Sequence, residues 1–476
     1  MATERQNQSA GDASSFERPI FHTPQITIHT LPDELWDRIV SDLDEPSLRS
    51  ACLASRRFCR LAQPHLYRTC DLESDEYDQL KNKRFSRLLR TILRRSDLAA
   101  QVVSFSVGIE CKSRDQHRTI ATAQEIEGLR GRCRIHLANG MLKEYAIGIL
   151  LTRLPNLGRL VIHVRQDRSL ELLASVLHEL RRSTCPSKPH FSRLRSIDVN
   201  YEDAFRTDWT EQDQEWADPM DWIGQDEGVP TLFGLSALQR FKISGIWMDA
   251  TMPGWDHLAR MSTVTNIEIG HESLLSASFL CQLVGACRQL KSFICHFRYP
   301  HDLLVVEPHS SLAKLLAALR LHVATLESFT LDLSGWRCFE ASPLGSLHDF
   351  SQLKKIHLTE ELLLRETTAT QKGSELVQVL PPNVESLTLN HCQESTLMPQ
   401  LERLLLVLPR RFPALKRVTI GDKFYIKIDN DLKADEFGLL DPPAELRRRG
   451  QLKSFRDKFR KLGIEFIAKG PYLVKS

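Results

Sequence analysis

The chain has 476 residues, of which 42% are hydrophobic and 26% are charged. This length exceeds one ordinary compact core and favours two or three domains or one elongated array of repeats. The composition excludes a disordered chain, and a net charge of +3 gives no overall attraction to nucleic acid or to a membrane surface. The longest uncharged apolar run, from Tyr145 to Leu151, is too short to cross a bilayer.

Residues 1–28 are rich in Ser, Gln, Ala and Asp and lack periodic apolar positions, which predicts a disordered tail. The opening stretch, MATERQNQSAGDASSF, contains no apolar core. We therefore expect no secretory signal and a location in the cytoplasm, the nucleus or both. In those compartments the 11 cysteines remain thiols.

Three helices are predicted between residues 29 and 70. Pro32 suits a first helical position, and apolar residues then recur every four positions, at Leu35, Ile39 and Leu43. Pro46 begins the second helix, and the stretch RRFCRLAQP is predicted as a third helix that ends before Pro64. So small a unit cannot enclose all of its apolar side chains. They pack either on the rest of the chain or on a partner, and the pattern alone leaves both alternatives open.

The segment from Leu31 to Thr69 closely resembles an F-box. Its Leu-Pro start, the turn from Pro46 to Leu48 and its Arg-Arg-Phe element follow the family's order and spacing. The LYRT ending resembles fungal F-box proteins, whereas Ala54 stands where the family often has Val. The resemblance implies a partner, because family members use this motif to bind a Skp-type adaptor and so join a cullin-RING ubiquitin ligase. The adaptor-binding residues that it implies are Leu31, Pro32, Leu35, Ile39, Leu43, Leu48 and Phe58.

Residues 71–150 are predicted to form linker helices and a first repeat-like cap. An apolar stripe from Phe85 to Leu93 predicts a helix, and the alternation of Val103, Phe105 and Val107 predicts a strand after it.

A short pattern recurs nine times after residue 150: an apolar residue, two residues of any type, an apolar residue, one residue of any type and a third apolar residue. The copies begin at Leu157, Leu194, Leu238, Val264, Leu290, Leu326, Leu353, Val384 and Leu415. Segments with helical periodicity separate several copies, so a repeat combines one strand with one helix. Strands connected in this way by right-handed crossovers lie parallel.

The repeated pattern resembles leucine-rich repeats in degenerate form, since only Cys392 stands where the family places its ladder of Asn or Cys. The predicted fold is therefore α/β, with an N-terminal three-helix F-box followed by an irregular leucine-rich-repeat solenoid over residues 151–440. Its parallel strands would form the concave face. Residues 441–476 are predicted as a capping helix and strand.

Residues that alternate with the apolar core positions of each strand point to the concave face, where hydroxyls and both signs of charge suit a protein partner. Residues 201–230 form an insertion that holds ten Asp or Glu, one Arg and three Trp. This acidic insertion is predicted to bind a basic segment of a partner, although Trp residues also anchor long loops to their own scaffold. The predicted substrate-binding residues are Trp209, Trp216, Trp222, Arg240, Lys242, Glu268, His296, Asp332, His357 and Asn390.

The sequence contains no phosphate-binding loop, metalloprotease or nucleophile-elbow motif, so no catalytic residue and no cofactor are predicted. Cys281, Cys287, Cys295 and His296 come nearest to a metal set. Cys287 and Cys295 occupy apolar repeat positions, which favours a core role, and no metal is predicted. The basic C-terminal segment is interpreted as a cap rather than a nucleic-acid site.

We therefore expect a non-catalytic substrate-recognition subunit of an SCF-type E3 ubiquitin ligase, which directs a protein to ubiquitin-dependent degradation. The F-box would bind the Skp-type adaptor, and the leucine-rich repeats would bind the protein substrate. Neither nucleic acid nor a membrane is an expected partner. The alternative is a leucine-rich-repeat interaction scaffold that acts outside a ubiquitin ligase.

Overall fold

The structure is a computed structural model. It describes residues 31–72, 79–109, 142–165, 170, 173, 174, 177, 191–202, 228–248, 255–270, 273–296, 311–332, 344–364, 375–390, 392, 394–421 and 442–469. The chain divides into two compact units, Met1–Leu66 and Tyr67–Ser476. The predicted tail over residues 1–28 lies outside the described residues, as do Trp209, Trp216 and Trp222 of the acidic insertion.

Three helices form the first unit: α1 (Asp33–Ser41), α2 (Glu45–Ala54) and α3 (Arg56–Arg68). Asp44 caps α2, because its carboxylate accepts a 3.0 Å hydrogen bond from the Ser47 N–H. The predicted end of the third helix before Pro64 is wrong, since α3 continues to Arg68. A proline removes one backbone hydrogen bond, and the packing of Ala62 and Leu66 on either side holds the helix together.

The second unit is built on a sheet of twelve parallel strands, in which neighbours along the chain are neighbours in the sheet. Its strands are β1 (Thr69–Asp71), β2 (Ser104–Ile109), β3 (Arg159–Arg165), β4 (Ser196–Glu202), β5 (Arg240–Ser244), β7 (Asn266–Ile269), β9 (Ser292–His296), β10 (Ser328–Asp332), β11 (Lys355–Thr359), β12 (Ser386–Asn390), β13 (Arg417–Ile420) and β14 (Glu465–Ala468). Two further short strands, β6 (Trp247–Met248) and β8 (Leu274–Leu275), pair with each other.

Helices connect the strands. They are α4 (Gln79–Arg94), α5 (Ser96–Ala99), α6 (Leu142–Thr152), α7 (Gly228–Phe233), a 3-10 turn (Asp256–Leu258), α8 (Ala277–Ala286), α9 (Ser311–Arg320), α10 (Glu361–Leu364), α11 (Leu376–Val379), α12 (Glu394–Arg411) and α13 (Pro442–Lys461). Ser276 caps α8 by accepting from the Phe279 N–H at 3.1 Å. Within the described ranges, no helix combines the length and apolar character of a membrane span.

All nine copies of the predicted repeat are strands, β3 to β5, β7 and β9 to β13, and they are aligned by their central apolar residue. Leu160 pairs with Ile197, which pairs with Phe241, and the same register continues to Val418. These central residues are at most 2% exposed, so their alternation with polar residues defines a core face and a polar face of the sheet. The predicted strand at Val103 to Val107 is β2, which pairs with β3.

Backbone hydrogen bonds connect the starts of neighbouring strands. The N–H groups of Lys291 and Ser292 both donate to the carbonyl of Thr265, at 2.8 and 3.0 Å. Two successive N–H groups share one carbonyl of the preceding strand start in this way at every main-sheet strand from β3 to β13. Side chains complete the turns, since Thr325 donates to the Leu290 carbonyl and Asn383 to the Ser351 carbonyl, both at 2.8 Å. Main-chain hydrogen bonds, supplemented by side chains such as Thr325 and Asn383, thus join successive repeats.

The last helix and strand close the end of the sheet. Phe455 and Phe459 of α13 are buried and stack on Phe466 of β14, with ring centroids 6.4 and 5.1 Å apart. Gly463 lies between α13 and β14 and has a φ of +76°, a backbone conformation that favours glycine. Leu462 follows the end of α13 at Lys461 and is 43% exposed.

Candidate functional site

An apolar stripe on α1 and the turn that follows it is the first candidate surface. Leu35, Ile39 and Leu43 are spaced four residues apart, and 48%, 46% and 36% of their surfaces are exposed. Their neighbour Val40 is buried and forms the small core of this unit with Leu48 and Ala62. The helix therefore has an internal apolar face and an exposed one, and we call Leu35, Ile39 and Leu43 the α1 face.

The other predicted adaptor-binding residues lie in different environments. Pro32 is exposed and Leu31 is half-buried. Phe58 is half-buried and packs edge-to-face on Trp36, with ring centroids 4.8 Å apart. The prediction that Leu48 binds the adaptor is corrected by its position. Leu48 is buried inside the unit, so its side chain supports the fold instead of offering surface to a partner.

Polar contacts between α1 and α3 hold the α1 face in place. The Arg57 and Arg60 guanidinium groups lie 2.8 and 2.5 Å from the two oxygens of Asp33. Arg57 also donates to the Leu31 carbonyl at 2.6 Å. His65 contacts the Asp37 carboxylate at 2.8 Å. These contacts fix the orientation of α1, so its exposed leucine and isoleucine side chains form a preorganised surface.

The polar face of the sheet is the second candidate surface, and strand register divides its residues into three rows. The strand-start row consists of Ser104, Arg159, Ser196, Arg240, Asn266, Ser292, Ser328, Lys355, Ser386, Arg417 and Glu465. The middle row consists of Ser106, Val161, Asp198, Lys242, Glu268, Ile294, Thr330, His357, Thr388, Thr419 and Ile467. The strand-end row holds Gly108, His163, Asn200, Ser244, His296, Asp332, Thr359 and Asn390.

Predicted substrate-binding residues fall in all three rows, and two of them form a pair. Lys242 and Glu268 lie on adjacent strands of the middle row, with their charged atoms 2.6 Å apart. Arg240 is exposed in the strand-start row. Arg159 and Asp198, which were not among the predicted site residues, form a second ion pair at 2.5 Å. The charges of the middle row are thus largely neutralised within the sheet.

The structure brings four predicted residues together at β9 to β12. Asn390 Nδ2 donates to His357 Nε2 at 2.7 Å and lies 3.5 Å from Asp332 Oδ2. His296 Nδ1 is 3.8 Å from the same carboxylate oxygen. Burial lowers the pKa of His357, and the nearby Asp332 carboxylate partly opposes that effect. Together the four side chains form a half-buried polar cluster that presents hydrogen-bonding groups of both kinds.

The cysteines near this cluster are core residues. Cys287 and Cys295 are fully buried, and burial raises the pKa of Cys287 to about 12 and that of Cys295 well above its usual value. Burial therefore disfavours the thiolate that a metal or a nucleophilic reaction requires. In the part of the chain that the structure describes, no three His, Cys, Asp or Glu side chains are placed to hold a metal ion.

His322 is a structurally important residue that the sequence analysis missed. Its ring is 1% exposed, accepts from the Leu290 N–H and contacts the Val284 carbonyl. The only sequence signal is a histidine directly after the apolar helix α9, in a position without a repeated residue type.

Comparison with known families identifies two domains in the chain. A family model for an F-box-like domain matches residues 28–73, and one for a leucine-rich repeat domain matches residues 216–441. The chain thus contains an F-box-like domain followed by a leucine-rich repeat domain. The α1 face lies within the F-box-like match, and the repeat match covers the seven strands of the main sheet from β5 to β13. The strands β3 and β4 precede that match and continue the same sheet. A search among curated proteins finds no match to this chain.

Proposed function

We propose that this F-box-like protein is the substrate-recognition subunit of an SCF-type E3 ubiquitin ligase. The F-box-like domain binds a Skp-type adaptor, which connects it to a cullin-RING ligase, and the leucine-rich repeats bind the protein substrate. The observation that carries the proposal is the exposed α1 face within the F-box-like match. F-box domains in general bind Skp-type adaptors. An exposed apolar stripe of this kind is removed from water when a partner covers it.

The protein's contribution to the reaction is positional. An F-box joined to leucine-rich repeats is typical of non-catalytic adaptors and receptors. Holding a substrate close to the charged ubiquitin carrier raises their effective concentration, and the conjugation chemistry itself belongs to other subunits. The substrate surface in this proposal is the polar face of the sheet together with the acidic insertion, in the cytoplasm, the nucleus or both. The insertion's Trp209, Trp216 and Trp222 stay a prediction, because they lie outside the described residues.

Recovery of the ligase with the full-length chain tests the proposal. The unmodified protein is expected to co-purify with both the adaptor and the cullin. The variant L35A/I39A/L43A should lose both, because buried interface anchors contribute about 2 kcal/mol or more each. The matched control is L406A, which truncates a leucine of α12 that is 82% exposed. This control should retain adaptor and cullin.

Two outcomes would contradict the proposal. If the triple variant still recovers the adaptor as well as L406A does, the α1 face is not the docking surface. If the unmodified protein recovers the adaptor without cullin, the chain acts as a scaffold outside the ligase. Thermal unfolding of both variants separates loss of binding from loss of fold.

A further inference from the structure

Positive charge is concentrated at the strand starts of the polar face. The strand-start row contains four cations and one carboxylate, which is Glu465 at its end. The residues that immediately precede this row add Arg195, Lys291, Lys354 and Lys416 and the carboxylates Glu327 and Glu385. Eight cations against three carboxylates give this edge a net charge of +5, whereas the whole chain carries only +3.

Four of the eight cations lie at β11 to β13, where Glu385 is the only carboxylate in these two sets of positions. Lys355, Ser386 and Arg417 are direct neighbours on three adjacent strands, and Lys354 and Lys416 precede two of them. Lys416 is paired with Glu385 and Arg417 with Glu465, both at 2.7 Å. Among the described residues, neither Lys354 nor Lys355 makes an ion pair, and the same is true of Arg240 on β5. This positive charge also acts on Glu385: Lys416 first, and then Lys354 and Lys355, lower the pKa of its carboxyl group.

The spacing of these cations fits an extended polypeptide that crosses the strands. Neighbouring strands are about 4.8 Å apart, so Lys355 and Arg417 stand about 10 Å apart along the row. An extended peptide advances about 3.3 Å per residue, so two carboxylates three residues apart reach both cations. The Ser386 hydroxyl lies between them and offers a donor to the peptide backbone.

We propose that the strand-start row binds an extended acidic segment of the protein substrate, anchored at Lys354, Lys355 and Arg417 with Arg240 further along. This inference rests on the proposed role of the repeats in substrate binding and names the chemical class of the substrate segment. Counterions released from the row and complementary charge give such a segment affinity and a fast association rate.

The rest of the polar face favours a peptide over a nucleic acid. Asp198 and Glu268 lie in the middle row and Asp332 in the strand-end row, so a polyanion wider than a single row would meet these carboxylates. Single-stranded nucleic acids bind proteins largely by stacking on aromatic rings. None of the residues in the three rows is Phe, Tyr or Trp.

Fluorescence anisotropy with the full-length protein tests this inference. The probe is a fluorescein-labelled peptide of ten glutamates, with a ten-residue lysine peptide and a ten-nucleotide oligouridylate as comparisons. We expect the variant K354E/K355E to bind the glutamate peptide at least about tenfold more weakly than the unmodified protein, with a smaller dependence on salt. K354Q/K355Q should weaken it less, because it removes charge without adding repulsion. The control K453E/R456E reverses two exposed charges on α13 outside the row and should bind within about twofold of the unmodified protein.

Equal affinity of K354E/K355E and the unmodified protein would overturn the inference. So would an equal loss in the α13 control, or an oligouridylate or lysine peptide that binds as tightly as the glutamate peptide. Recovery of adaptor and cullin is measured on the same variants, and K354E/K355E should retain both. Peptide binding without adaptor recovery by the unmodified protein contradicts the ligase proposal alone, whereas adaptor recovery without peptide binding contradicts this inference alone.

Discussion

The imidazole of His322 accepts a 3.2 Å hydrogen bond at Nδ1 from the backbone N–H of Leu290. Its Nε2 lies 3.0 Å from the Val284 carbonyl and therefore carries the proton that it donates. Val284 belongs to α8, Leu290 precedes β9 and His322 follows α9. One neutral ring thus ties two consecutive repeats of the sheet together.

The first prediction concerns the stability of the folded protein at acidic pH. Burial lowers the pKa of His322 below its ordinary value of 6.5, and the nearby Arg260 acts in the same direction. Below that value the unfolded chain binds a proton that the folded ring does not, so the free energy of unfolding should decrease as pH falls through about 6.5. Urea unfolding at pH 8 to 5 measures this. H322Q retains a donor and an acceptor without a titrating group and should show a weaker pH dependence. Identical profiles for the two proteins would contradict the prediction.

The second prediction concerns the two backbone groups that His322 satisfies. H322L leaves the Leu290 N–H and the Val284 carbonyl buried without this partner, and an unsatisfied buried group costs about 1–3 kcal/mol. Urea unfolding at pH 8 should show the loss. A control is H348L, because His348 is half-exposed at 50% of its side chain and should change stability little. A loss no larger than that of the control would show that the ring is dispensable.

The third prediction concerns Gly421, beside the cluster of His296, Asp332, His357 and Asn390. A Cβ atom at residue 421 would lie 2.0 Å from Asn390 Oδ1, so G421A must displace the Asn390 side chain. Asn390 donates to the unprotonated Nε2 of His357, and loss of that hydrogen bond should shift the pKa of His357. NMR titration of His357 measures the shift, and N390A should reproduce it. G285A is the control, because a Cβ atom there meets no other atom within 4 Å. An unchanged His357 titration in G421A would contradict the contact.

The fourth prediction compares neighbours on α1. Ile39 is 46% exposed and Val40 is 1% exposed. V40A should therefore destabilise the F-box-like domain by about 1–2 kcal/mol through lost burial and a small cavity. I39A should leave stability within about 0.5 kcal/mol and weaken adaptor binding instead. Hydrogen exchange over residues 31–66 and titration with purified adaptor separate the two effects. The reverse assignment of effects would show that α1 faces the other way.

Most of the repeat architecture could be predicted from sequence, because each strand repeats an apolar spacing that only a parallel, one-sided sheet satisfies. The same spacing located the α1 face, since Leu35 and Ile39 share one side of α1 and Leu43 is exposed just beyond its end. It could not show that Leu48 is buried, because two faces of a short helix can both be apolar. Nor could it reveal the short edge strand β1, or the end of α3, where packing overrides Pro64.

Contacts between residues that are distant in the chain could not be predicted from the sequence. Glu268 and Lys242 are 26 residues apart and meet only through strand register. His322 acts through backbone groups 32 and 38 residues away, which have no residue-type signature. The acidic insertion remains a prediction, since its three Trp residues lie outside the described residues.

The shared carbonyl at each strand start has a consequence for how such a domain diverges. The paired N–H groups that donate to this carbonyl form a seam of main-chain hydrogen bonds between successive strands. These bonds impose no residue type on the positions beside them, although side chains such as Thr265 supplement them. Substitutions on the exposed side, and length changes in the connecting segments, leave that seam intact. A lineage could therefore rewrite which partner this scaffold recognises while its mechanical framework stays the same.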